Sequence, residues 1–575
     1  MSSTSGRYYV LTSTLSSPNV RKRCLVGGGA CAAVAVVCAL LLLALVGLLS
    51  AGGDSDAAAA QVGDGANPGL RLEVTELATK EARDFYEMTC RHAHTVLTRD
   101  RVWQFGLEHS QGWSIFVQDY AVTPHSWPRL TFEFQPPNVF AAQLIGGHLD
   151  ANASIQVTNA DASIPGSRSV DNGNIQLTLR DFNFKLHTAV IRDGDNHLSL
   201  AVDQCESALG MTHTAHGFHL PENVQRLRQS TDNIRDLLHS LCSQFQKHHF
   251  PVVTEGLKRL MNLTKNARCI DDQHCIRGRA ELVKPPAVST AGTLSLDFDA
   301  CTYCEGHGAD CADFKPPPLQ TAVIRRRMFQ LFLSDAAVNE FLATASHLLE
   351  DVARLSHRHG RIMDVPVTIR IDDSNPLNGL FRDHFNVEYG DVLLPTLVGI
   401  EGHPKVQFTP TSDEKARVSF SISVRILLDR MRDRRKLSEG EFTIKLAATA
   451  SIAAVAPLSG APRTISNFLP RLKFDCFLTE LKVEPTSADA TLHLTGQEDF
   501  ERNLLETANA ILRVASISRV SMMPPIRRSA PTSAWRWLSR NVLFDLGFHS
   551  NEHTLAVGLD IKPTADVRAD SKERQ

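Results

Sequence analysis

Cys301-x2-Cys304-x2-His307-x3-Cys311 has the residue types of a zinc site. Thiolates and an imidazole at such spacing suit tetrahedral coordination. In an oxidising compartment the same cysteines would pair as disulfides instead. Cys269 and Cys275 are near enough in sequence to close a small loop by that chemistry. Six histidines lie between His213 and His249: His213, His216, His219, His239, His248 and His249. They either act together as an acid-triggered charge switch or sit exposed on loops and a helix. Residues 522–540, MMPPIRRSAPTSAWRWLSR, bring Arg527 and Arg528 close to Trp535 and Trp537. Basic and aromatic residues together suit a phospholipid headgroup interface; a surface loop with partly buried Trp is the plain alternative. The chain carries no G-x-S-x-G elbow, no P-loop and no H-E-x-x-H. Nothing in it points to an enzyme, so no catalytic residue, resident metal or cofactor is expected.

Compartment decides how those cysteines behave. Leu25 to Leu49 is uncharged, with Arg21, Lys22 and Arg23 before it and Asp54 and Asp56 after it. As a helix it would reach about 37 Å, enough to cross a bilayer. The cationic flank stays cytosolic, which places the rest in the lumen or outside the cell. A type II single-pass signal anchor over 25–51 is expected; secretion after signal cleavage near Ser50 to Gly53 is the alternative. Either way the body enters the secretory pathway. Asn152-Ala-Ser and Asn262-Leu-Thr would be glycosylation acceptors there. The whole chain has a formal charge of −3, which argues against nucleic acid as a partner.

The elements that must position these residues occur twice. Leu70, Leu72 and Val74 alternate like a strand, Thr75 reads as an N-cap, and Ala78, Ala82 and Phe85 start an apolar helical face. Phe329, Leu331 and Leu333 alternate in the same way, Ser334 reads as a cap, and Val338, Phe341, Leu342, Ala345 and Leu349 continue as a stripe. The two beginnings are 259 residues apart (329 − 70). The closing strands TLSLDFD, from Thr293, and TLAVGLD, from Thr554, are 261 apart (554 − 293). The agreement indicates a tandem duplication. Between these landmarks the chain reads mostly as strands, among them 113–122, 153–159, 175–186, 197–202, 405–410, 416–428, 442–455 and 489–495. Helical patterns return at 223–261 and 499–514. Each half is therefore α+β, a long antiparallel sheet wrapped on helices. Lys284-Pro-Pro and Lys315-Pro-Pro-Pro bracket what reads as an extended linker.

Residues 67–563 resemble the lipid-transfer and lipopolysaccharide-binding family, which includes bactericidal permeability-increasing protein and the phospholipid and cholesteryl ester transfer proteins. Asn67-Pro68-Gly69, the segment Leu282-Val-Lys-Pro-Pro, and above all Met328-Phe-Gln-Leu-Phe-Leu-Ser-Asp carry the resemblance. It implies a boomerang of two pseudo-symmetric barrels, each with an apolar lipid pocket. It also implies a disulfide between Cys205 and Cys242. Together with the N-terminal reading above, the expected layout is a cytosolic tail (1–24), an anchor (25–51), a flexible tether (52–68) and an N-terminal lipid-binding barrel (69–300). A Cys/Pro-rich linker (301–320), a C-terminal lipid-binding barrel (321–565) and a disordered tail (566–575) follow. Ala78, Ala82, Phe85, Val338, Phe341, Leu342, Ala345 and Leu349 are the pocket candidates, with ordinary core as the alternative for each. The expected function is binding and transfer of phospholipid or another acyl lipid, with a membrane as partner. A membrane-tethered receptor or adaptor on the same scaffold is the alternative. Residues 69–315 hold 23 Lys plus Arg against 29 Asp plus Glu. An acidic first half gains no attraction for lipopolysaccharide phosphates, so binding of that ligand is expected to be weak.

Overall fold

The computed structural model describes residues 67–99, 105–110, 113–160, 168–194, 196–244, 268–269, 275–279, 281–304, 314–355, 363–364, 369–373, 378–455, 471–486, 490–515 and 542–563. The expected anchor at 25–51 lies outside them, as do the tails, Asn262, His307, Cys311, Arg527, Arg528, Trp535 and Trp537. Among the described residues no helix is long and apolar enough to cross a membrane.

The fold is α+β and mostly sheet. Among the described residues there are six helices: α1 (Glu76–Arg99), α2 (Pro221–His239), α3 (Leu241–Gln244), α4 (Asp335–Leu355), α5 (Asn378–His384) and α6 (Gln497–Ala515). A central six-stranded sheet runs in the order Ala287–Val288, Leu294–Phe298, Leu70–Val74, Phe329–Ser334, Thr554–Pro563, Val542–Asn551. It is built from the first and last strands of both halves. Leu72 pairs with Leu331, and their outer partners are Leu296 and Val557. These four are related by the 259- and 261-residue offsets (331 − 72 and 557 − 296), so a pseudo-twofold axis passes through the Leu72–Leu331 pair. The main chain obeys it too. Thr75 N–H donates to Met328 O, and its counterpart Ser334 N–H donates to Gly69 O, each at 2.9 Å. The largest buried cluster lies on this sheet, with Leu72, Leu296, Met328 and Phe329 at its centre.

Outside the seam each half has a curled half-barrel sheet. The first follows the order Phe105–Ser110, Trp113–Ser126, Val139–Ala160, Arg168–Arg192, Leu198–His216, with Arg129–Gln135 also on Val139–Ala160. The second follows Met363–Asp364, Val392–Ile400, Ala416–Arg432, Arg435–Val455, Arg471–Pro485. Among the described residues neither path closes on itself. Strands of 22 and 25 residues are far longer than the usual 3–10, and only a strongly curled sheet accommodates them.

Four local expectations change. The segments at 153–159 and 175–186 are parts of those two long strands. Residues 490–496 form no strand; Leu494 makes an isolated bridge to Phe385, and Leu492 is buried among the second half's aromatic side chains. The Thr75 hydroxyl does not cap α1 but donates to Arg327 O at 2.8 Å, tying the helix start to the other half. Ser334 does cap α4, accepting the Ala336 N–H at 3.1 Å. The expected linker is partly sheet: Cys301–Cys304 joins a three-stranded sheet with Cys275–Arg279 and Arg268–Cys269.

Candidate functional site

In the first half, α1 and α2 cover opposite ends of one sheet face. Tyr86 and Cys90 of α1 pack with Leu130, Phe132 and Leu144, and Ala82, Phe140, Phe182 and Phe184 fill in around them. Leu227 of α2 packs with Ile115, Ile155, Val157 and Ile175 at the other end. Asp171 sets the position of α2. It accepts the backbone N–H of His219 and Leu220 and the side-chain amide of Asn223, at 3.0, 3.1 and 2.8 Å. Burial pushes the Asp171 pKa up, but those donors and the His219 ring outweigh it and hold the carboxyl well below the usual range.

Between the two covered ends lies a strip that no described residue covers in this way. Pro124, Leu149, Leu179 and Met211 lie abreast on four neighbouring strands, and Val122, Ala151, Leu177 and His213 form the next row. All eight are half-buried, although they share the face of the fully packed Ile155 and Ile175. Leu149, Leu179 and Met211 belong to no buried cluster among the described residues. Three inter-strand steps make the strip about 14 Å wide.

The second half repeats the arrangement. Ala416 packs with Phe548 at one end of the sheet face, and Phe381, Phe385, Phe442 and Phe500 close the other. Val418, Phe420, Ile422 and Val424 lie between, half-buried and outside both clusters. The stripe of α4 is also open. Val338, Leu342 and Ala345 are half-buried and Phe341 is 48% exposed. The polar Thr344 and Ser346 on the flanks of that stripe are buried, as is Ala337 in the first turn, and the two hydroxyls donate to the carbonyls of Glu340 and Leu342.

The remaining candidates are dispersed. Ala78 packs on the central-sheet cluster and Ala82 on the α1 cluster. The side chains of Phe85 and Leu349 lie outside the described residues. Cys205 and Cys242 are joined as a disulfide, with Cα atoms 5.5 Å apart, which ties the start of α3 to the sheet edge. The backbone register sets Cys269 opposite Cys275. Cys301 is disulfide-bonded, which removes it from the zinc reading of that motif. Asn152 is exposed. His213 lies on the half-buried strip, His216 and His219 are exposed, and His248 and His249 are outside the described residues.

A cleft of about 680 Å³ lies between the start of α1, Arg129–Gln135 and residues 289–292. Glu76, Lys80, Arg83, Asp84, Glu87 and Glu133 line much of it, so it suits polar groups rather than hydrocarbon.

No family model matches the chain, and no curated protein matches it. Among solved structures it is similar to the crystal structure of lipopolysaccharide binding protein. That similarity covers 87% of this chain and 99% of the other, at 12% identity and a TM-score of 0.37. It is similar to Takeout 1 of Epiphyas postvittana over 29% of this chain and 79% of the other, at 7% identity and a TM-score of 0.15. P47 of Clostridium botulinum E1 matches over 86% and 100%, at 7% identity and a TM-score of 0.21. No residue role is taken from these proteins.

Proposed function

We propose that the chain is a lipid-binding and lipid-transfer protein that holds acyl chains of phospholipid or a related lipid against the apolar strip of each half. The observation that carries this reading is the row Leu149, Leu179 and Met211, apolar and half-buried between two packed ends. Phe420, Ile422 and Val424, half-buried along one strand between the packed ends of the second sheet, support one such surface per half. Burying hydrocarbon is worth about 0.8 kcal/mol per methylene relative to water and almost nothing relative to a bilayer. A protein surface of this kind shields a tail from water and still exchanges it with membranes near equilibrium. Such exchange needs no catalytic group, and the chain is read as a non-enzyme.

The reading places the body in the secretory pathway, on an anchor at 25–51 or secreted after its cleavage. The Cys205–Cys242 bond suits that compartment. Nucleic acid is not a partner in this account, and the acidic first half leaves lipopolysaccharide a weak one. Exchange of a tail-labelled fluorescent phospholipid between donor and acceptor vesicles tests the proposal. Protein-dependent exchange supports a carrier; stable binding without exchange supports the receptor or adaptor alternative.

A further inference from the structure

His125, His148 and Asp150 meet on the other side of the same sheet. Asp150 is next to Leu149, so its side chain leaves the strand on the face opposite the apolar strip. Two irregularities bring the imidazoles to it. The register of Trp113–Ser126 shifts between Pro124 and Ser126, which leaves His125 as an extra residue. On the neighbouring strand Gly146 and Gly147 take φ of 77° and 93°. A Cβ on Gly147 would come within 2.8 Å of the Pro128 ring, so glycine alone fits the bend that presents His148. The ring centroids of the two histidines end 4.4 Å apart.

Ligand atoms of the three side chains lie within 4.8 Å of one another. His148 Nε2 is 3.4 Å from Asp150 Oδ1, and His125 Nε2 is 2.7 Å from Asp150 Oδ2. His148 Nε2 is buried yet makes no hydrogen bond. A buried ring nitrogen that faces a carboxylate without a well-formed hydrogen bond to it is costly unless something else occupies its lone pair. Thr178 Oγ1 donates to Asp150 Oδ1 at 2.8 Å and fixes the carboxylate from a third strand.

We propose that His125, His148 and Asp150 bind a divalent transition metal, zinc foremost. Metal–ligand bonds of 2.0–2.2 Å in a tetrahedron set ligand atoms about 3.3 Å apart. The His148–Asp150 spacing already matches. That distance is to Oδ1, whereas His125 Nε2 bonds the other oxygen, Oδ2. For one carboxylate oxygen to serve with both imidazoles, His125 must leave that hydrogen bond and shift; its side chain, 47% exposed, is free to do so. Two imidazoles and one carboxylate select zinc-like ions over calcium or magnesium, which prefer oxygen ligands alone. Among the described residues no fourth side chain joins the group, which leaves the fourth position to water. The bound ion would staple Trp113–Ser126 to Val139–Ala160 at their paired irregularities. The site does not depend on the lipid reading, since it lies on the opposite face.

The test uses the full chain, stripped of metal with a chelator and dialysed against micromolar zinc at pH 7.5. Wild type should retain one more zinc per chain than the double variant H125A/H148A, and D150N should bind at least about tenfold more weakly. Carbethoxylation read by peptide mass spectrometry gives a site-resolved measure on wild type alone. Zinc should slow labelling of His125 and His148 several-fold while leaving exposed His216 unchanged; magnesium should do neither. Equal zinc stoichiometry in wild type and variant, or labelling of His125 and His148 indifferent to zinc, overturns the proposal. Protection by magnesium to the same degree overturns the choice of metal. If the double variant does not fold, the labelling of wild type decides.

Discussion

Leu72 faces Leu331 in antiparallel register across the seam between the two halves, and each is the other's counterpart in the duplication. The halves therefore share one sheet and one core instead of being joined by a tether. Leu72 is 3% exposed, and replacing it with Ala should cost about 3 kcal/mol. Urea unfolding followed by probes in both halves should shift together in this variant. A shift confined to the first half would show that the seam does not couple them.

Arg327 is pinned beneath the same sheet. Its guanidinium lies 3.1 Å from Glu414, 3.2 Å from Asp545 and 3.3 Å from Asp560. The paired residues Gly547 and Gly558 form the trough it crosses, and a Cβ at Gly558 would fall 2.5 Å from Arg327 Cδ. Gly558→Ala should lower stability by about 1–3 kcal/mol, because three carboxylates keep the side chain from swinging aside. Differential scanning calorimetry checks this; an unchanged Tm would mean that Arg327 has room to move.

Asp171 gives stability a pH signature. Its folded pKa is depressed, so its contribution is fully present above the unfolded value of about 3.9 and is lost as pH falls through the folded value. Asp171→Asn should therefore be less stable than wild type at pH 7, by about 1–2 kcal/mol for the weakened charge-assisted bonds. The gap should narrow as pH is lowered below about 4. Denaturation curves at a series of pH values measure it, and a gap constant with pH would remove the charge from the account.

Leu179 and Ile155 share a face, yet Ile155 is 1% exposed and Leu179 is half-buried in no cluster. Leu179→Asn should cost less than about 1 kcal/mol, while Ile155→Asn should cost about 3 kcal/mol or more. Equal, large losses in thermal denaturation would make the strip ordinary core.

The duplication was legible because its landmarks are local: an alternating strand, a small polar residue and a helical stripe recurring at nearly one offset. The long strands were not. Alternation stays readable only while side-chain direction keeps its period of two. Gly146, Gly147 and Asp181, all at positive φ, shift that direction midway. Only 153–159 of the first long strand therefore reads as a strand, and 175–186 reads as one strand although its apolar positions change parity at Asp181. The stripe of α4 was legible as apolar, but periodicity does not distinguish a packed face from an open one; Phe341, half exposed, shows the difference. His125, His148 and Asp150 left no sequence signal, because only cross-strand register and two irregularities bring them together. Thr75 looked like a cap because its acceptor, Arg327 O, lies 252 residues away.

The most direct measurement of lipid binding is photo-crosslinking of the full chain with a phospholipid carrying a diazirine near the end of its tail, followed by peptide mapping. The account predicts adducts on peptides containing Leu179 and Met211 in the first half and Phe420 and Ile422 in the second. Adducts confined to residues 25–51, or none above background, would contradict it.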